Sequence, residues 1–134
     1  MLLSVEKWYE AISTRHSVRN YTGEPVSPDM MGQLSGVAQE LSGASARVMV
    51  SRETVDVILQ GAAGSYGKVL DAPAFAAVIS DGREPDFQER CGYIGGAVVL
   101  EAVAGGLGTR WAAGSGESRR PVWSIWKLMR MFWR

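Results

Sequence analysis

The chain has 134 residues, enough for one domain with a moderate core. Hydrophobic residues make up 46% and charged residues 21%, a globular composition, and the net charge of zero argues against a generic nucleic-acid binder. One cysteine, Cys91, and one histidine, His16, exclude an internal disulfide framework and a cysteine- or histidine-pair metal site, and no Ser-His-Asp triad is evident, so no metal site is expected.

Helix 1 is predicted from Val5 to Thr14, because Val5, Trp8, Tyr9 and Ile12 fall on one apolar face. Pro25 and Pro28 punctuate the following loop. Ser27-Pro28-Asp29 reads as a helix start, with Ser27 as N-cap. That second helix turns Met31, Leu34, Val37, Ala38 and Leu41 inward and ends at Ser42-Gly43. Arg47 to Ser51 suits a strand with Val48 and Val50 on one face. A short helix is predicted over Thr54 to Leu59, then a glycine-rich loop from Gly61 to Gly67. That loop is not a P-loop, since no Gly-Lys-Ser/Thr follows at the right spacing.

The apolar run from Ala74 to Ser80 suits a buried central strand. Asp81 to Pro85 is a surface turn. A long helix is predicted from Phe87 to Ala104. Asp86 is its expected N-cap and Glu89 completes a capping-box pair. Its glycines, Gly92, Gly95 and Gly96, are costly in a helix and imply close approach of another helix or a ligand. Gly105-Gly106 stops it, and Thr109 to Ala113 forms a strand. Cys91 reads as a small core residue, and Tyr66 and Tyr93 as packing residues and not proton donors. The order of elements indicates a mixed α/β or α+β domain.

The densest chemical signal is Arg15-His16-Ser17-Val18-Arg19-Asn20-Tyr21, just past the first helix. Two guanidinium groups and a hydroxyl within five residues make an anion trap, since the arginine fork matches a phosphate. The same residues also read as a solvated helix C-terminus, where the dipole favours cations.

This run resembles the R-x-S-x-R-x-[YF] opening of the FMN-dependent nitroreductases. Three later segments resemble the compact TM nitroreductase branch in the same order: Ser65-Tyr66-Gly67-Lys68-Val69, Glu89-Arg90-Cys91-Gly92-Tyr93-Ile94-Gly95, and Leu100-Glu101-Ala102 through Gly106-Leu107-Gly108-Thr109-Arg110-Trp111. The resemblance implies an α+β fold: a central sheet flanked by helices, here a truncated half of a fold usually built as an intimate dimer. It implies FMN as cofactor and NAD(P)H as electron donor. It further implies a small-molecule acceptor, nitroaromatic or quinone-like, and no nucleic-acid or membrane partner. Carried over by position, Arg15, His16, Ser17 and Arg19 hold the phosphate and ribityl chain. Ser65 and Tyr66 line the pocket, and Trp111, Ala112, Ala113 and Gly114 approach the isoalloxazine. No dedicated catalytic residue is implied, because the cofactor carries the hydride chemistry. A missing second half or a homo-oligomer partner is needed to complete the flavin site.

Composition changes abruptly at about Ser115. The last twenty residues hold Arg119, Arg120, Lys127, Arg130 and Arg134 against Glu117, a local charge of +4 in a neutral chain. They also hold Trp123, Trp126 and Trp133, and they lack the pattern of the family's second half. The expected division is therefore 1–114, nitroreductase-like, and 115–134, an atypical basic tail read as a shift of reading frame. Two alternatives to a working flavoenzyme follow. One is an inactive truncated remnant. The other is a protein that binds a partner or a membrane surface through the tail, read as a basic amphipathic helix. The single cysteine, the lack of a signal-peptide pattern and the lack of a membrane-length apolar run favour a cytoplasmic location.

Overall fold

A computed structural model describes residues 5–18, 24–52 and 74–112, together with the backbone of 123–133. The elements in chain order are α1 (Val5–Thr14), α2 (Pro28–Leu41), β1 (Ala46–Ser51), β2 (Ala74–Asp81), α3 (Phe87–Ala104), β3 (Leu107–Ala112) and β4 (Trp123–Trp133). The helix expected over Thr54 to Leu59 and the loop from Gly61 to Gly67 lie outside the described residues.

Helix α1 begins and ends where its periodicity predicts, but its apolar face divides. Ala11 is buried and Trp8 packs against the core, whereas Val5, Tyr9 and Ile12 are exposed. The hydroxyls of Ser13 and Thr14 donate back to the carbonyls of Glu10 and Ala11, which closes the last turn without a glycine. Helix α2 starts as its sequence dictates: Ser27 Oγ accepts from the Met30 amide at 3.2 Å, with Pro28 in the first turn. Met30, Leu34, Val37 and Ala38 are buried; Met31 and Leu41 lie at the margin. Ser42 then joins α2 to the sheet, donating to the Ala38 carbonyl and accepting from the Val48 amide.

The four strands form one antiparallel sheet in the order β1-β2-β4-β3. The apolar run at Ala74 becomes the internal strand β2, buried from Ala74 to Val78. Helix α2 packs on β1 and α3, while α3 lies across all four strands. Val48, Ala76 and Val78 join the main core with α2 and α3. Phe75 and Ala77, which alternate with those residues along β2, are also buried, whereas Met49 is exposed.

Three expectations need correction. The tail is not an amphipathic helix: Trp123–Trp133 is β4, hydrogen-bonded on both sides. Without it, β2 and β3 would each present an open edge. Its Trp, Ile and Phe content suits a strand as well as a helix face, and the pairing decides between them. Asp86 does not cap α3: it makes no side-chain cap bond, and its carboxylate pairs instead with Arg90 Nε at 3.0 Å. Tyr93 is not a packing residue but 68% exposed. It stands between Gly92 and Gly96, beside each of which a methyl group would meet open space.

Candidate flavin-binding site

The first three residues of the arginine motif sit directly after α1. The Arg15 amide donates to the Ala11 carbonyl at 2.9 Å, so the motif leaves the helix without slack. His16 Nδ1 lies 3.1 Å from the Thr14 carbonyl, which folds the ring back on the helix end. Arg15, His16 and Ser17 are all exposed, and no hydrogen bond or ion pair joins the Arg15 guanidinium to another described residue. Arg19 lies outside the described residues.

One contact joins this motif to the second candidate segment. Ser17 forms a parallel bridge with Thr109 of β3, and the Val18 amide donates to the Thr109 carbonyl at 3.1 Å. Residues far apart in sequence thus become neighbours. The motif runs alongside the strand that carries Trp111 and Ala112, while Ala113, Gly114, Ser65 and Tyr66 lie outside the described residues. The motif meets the outer edge of β3 at Thr109. Thr109 is almost fully buried and serves as the anchor. Its place in the Gly-Leu-Gly-Thr segment was the sequence signal available for it, although that segment alone names no partner.

Trp111 is held from the helix side. An ideal methyl group on Gly95 would lie 2.5 Å from Trp111 Cη2 and 3.3 Å from Val78 Cγ2. Gly95 therefore lets the indole end reach α3, which is the close approach expected of a helix glycine. Gly106, with φ of 91°, makes the left-handed turn that sends α3 back into β3. Met30 of α2 packs against Gly105, where a side chain would collide with its thioether. The backbone route from α3 into β3 thus turns on the left-handed Gly106.

The donor set suits a phosphate. An exposed guanidinium with no described partner and, two residues on, an exposed serine hydroxyl lie on a backbone held at both ends. No group of histidine, cysteine, aspartate and glutamate among the described residues has the arrangement of a metal site. Cys91 is buried as a core residue, as its apolar helix face predicts. No described helix is long and apolar enough to cross a membrane.

Comparison with known proteins bears on the family and the fold. The family model described as "Putative TM nitroreductase" matches residues 7–130, a span that takes in most of β4. Among solved structures, a nitroreductase family protein from Clostridium difficile 630 is 20% identical, with a TM-score of 0.73 over 93% of this chain and 83% of that one. A nitroreductase with bound FMN from Bacteroides fragilis NCTC 9343 is 15% identical, with a TM-score of 0.74 over 95% and 88%. The NADPH:FMN oxidoreductase from Vibrio harveyi, complexed with NAD+, is 16% identical, with a TM-score of 0.75 over 95% and 68%. The sequence expectation was a half of the fold; the matched region takes in most of the first two of these chains. No curated protein matches the sequence. On the family match and the shared fold together, the chain belongs to the nitroreductase family.

Proposed function

We propose that this protein is an FMN-dependent oxidoreductase of the nitroreductase type. The observation that carries the reading is the Ser17–Thr109 bridge, because it brings the arginine motif alongside the strand leading to Trp111 and Ala112. Arg15 and Ser17 would hold the FMN phosphate, together with Arg19 from the same motif. The Trp111–Gly114 segment would flank the ring system, with Ser65 and Tyr66 as further lining. FMN supplies the hydride chemistry, accepting from NAD(P)H and giving to a nitroaromatic or quinone-like acceptor. The chain's own task is to fix the phosphate, wall one side of the ring and leave the other open. The FMN named with the Bacteroides fragilis relative and the NADPH and FMN named with the Vibrio harveyi relative support that assignment.

A homo-oligomer partner belongs to this reading. Tyr9 and Ile12 of α1 and Tyr93 of α3 are large apolar residues left exposed, and such surface commonly marks an interface. The same reading takes the protein to act in the cytoplasm.

The test is a fluorescence-quenching titration with FMN and with riboflavin, which differ only in the terminal phosphate. FMN is expected to bind more tightly. Equal affinities would remove the phosphate assignment.

A further inference from the structure

Helix α1 touches one described element only, α3. Ala11 and Trp8 pack inward, while Val5, Tyr9 and Ile12 face outward. One directional bond adds to that packing. Trp8 Nε1 donates to Glu101 Oε2 at 2.6 Å in a part-buried setting. This is a charge-assisted bond, stronger than a neutral pair, and partial burial strengthens it further. Trp8 also packs against the hydrophobic core, which limits the ways the indole can turn.

The two partners have a particular place in the chain. Trp8 lies on the helix that runs directly into Arg15 and Ser17. Glu101 lies on the last turn of α3, which returns through Gly105-Gly106 into Thr109. A second cross-link, Val18 amide to Thr109 carbonyl, joins the far ends of the same two arms. The result is a closed frame. One arm is α1 followed by the motif; the other is the end of α3 followed by β3. Two hydrogen bonds tie them, one behind the motif and one in front. If the rear bond is cut, α1 can shift on α3, and Arg15 moves with it while Thr109 stays in the sheet.

We propose that Trp8 and Glu101 are positioning residues for the phosphate grip, acting through α1 on Arg15 and Ser17. The proposal rests on the FMN reading above. It predicts a selective defect: the phosphate part of the affinity falls, while contacts to the ring system persist. Geometric error in a site held by charge-assisted bonds is felt first where distance and angle matter most.

The experiment compares FMN with riboflavin on the full chain in four forms: wild type, Trp8→Phe, Glu101→Leu and Glu101→Gln. The measured quantity is the ratio of riboflavin to FMN dissociation constants. Trp8→Phe removes the donor and Glu101→Leu the acceptor, and each should lower the ratio by about tenfold, the scale of one charge-assisted hydrogen bond. Riboflavin affinity should stay within about twofold of wild type, because no ring contact is altered. Glu101→Gln keeps an acceptor oxygen but loses the charge, so it should retain part of the ratio, a rescue that mere loss of packing would not give. Two variants, one on each partner, keep the test decisive if either fails to fold. An unchanged ratio in folded Trp8→Phe or Glu101→Leu protein overturns the proposal, as does an equal loss for both ligands. A wild type that shows no preference for FMN removes the phosphate reading itself, and this proposal with it; a preference that survives the substitutions removes this proposal alone.

Discussion

The two arms that meet at the candidate site are built on different physics. The arm made by α3 and β3 is buried: Cys91, Val98, Ala102 and Leu107 have no exposed surface. The arm made by α1 and residues 15–18 is open, with Tyr9 at 78% and Ile12 at 58% exposure. Packing fixes the first arm, and many small contacts share the load. On the second, Ala11 and Trp8 reach the core and a few directional hydrogen bonds add to that packing. Substitutions on the buried arm should therefore change stability. Substitutions on the open arm should change ligand geometry and leave the fold in place.

The sharpest way to break this comparison is to truncate one residue on each arm. Leu107→Ala removes a fully buried side chain from β3 and should cost about 2–5 kcal/mol of stability in urea unfolding. The protein that remains folded should keep its preference for FMN over riboflavin. Arg15→Ala should do the reverse. It is expected to weaken FMN binding by about 1.5–3 kcal/mol, the range of a hydrogen bond to a charged group, and to leave riboflavin binding unchanged. Its effect on stability should stay within about 0.5 kcal/mol, as for other exposed positions. Arg83→Ala, in the turn after β2, is the control and should leave FMN binding unchanged. If Arg83→Ala and Arg15→Ala weaken FMN equally, the site has been misplaced.

The helix glycines sharpen the same contrast within one element. An alanine gains about 1 kcal/mol over glycine in a helix interior. At Gly92 nothing stands in the way, so Gly92→Ala should stabilise by up to about that amount. At Gly95 the new methyl group meets Trp111 and Val78, and overpacking of about 1–3 kcal/mol outweighs the helix gain. Gly95→Ala should therefore destabilise by about 1 kcal/mol net and move Trp111, visible as a shift in tryptophan emission. Substitutions of equal sign and size at the two positions would show that Trp111 does not rest on α3.

The contrast also explains what the sequence could disclose. Elements with strong periodicity were legible: α1, α2, β1, β2 and α3 follow from apolar spacing, caps and breakers. The arginine motif stood out as well, readable either as an anion trap or as a solvated helix end. Its neighbour was not. Nothing local in Ser17 or Val18 specifies Thr109; the bridge results from how α1 docks and where β3 has an edge. The same applies to Trp8 and Glu101, which read separately as one more apolar residue and one more solvated acid. Residues 123 to 133 satisfy a helical face and a strand equally, and only the two strands beside them choose. The glycines of α3 look alike in sequence, yet one meets an indole and two meet open space.

The smallest effect separates two helix starts that look alike on paper. Ser27 and Asp86 both precede a helix and both belong to residue types that cap. Ser27 has the extended backbone of a cap, with φ of −61° and ψ of 151°, and its hydroxyl reaches the Met30 amide. Asp86 has φ of −98° and ψ of 13°, and its carboxylate turns along the helix surface to Arg90. The first interaction satisfies a backbone donor that has no partner within the helix, so Ser27→Ala should cost about 1 kcal/mol. The second is an exposed pair four residues apart, with both side chains well solvated. Asp86→Ala should therefore cost about 0.3–0.5 kcal/mol, and most of that should vanish in high salt. Ser27→Ala should show no comparable salt dependence. A loss at Asp86 as large as that at Ser27, and insensitive to salt, would mean that the carboxylate caps α3 in solution after all.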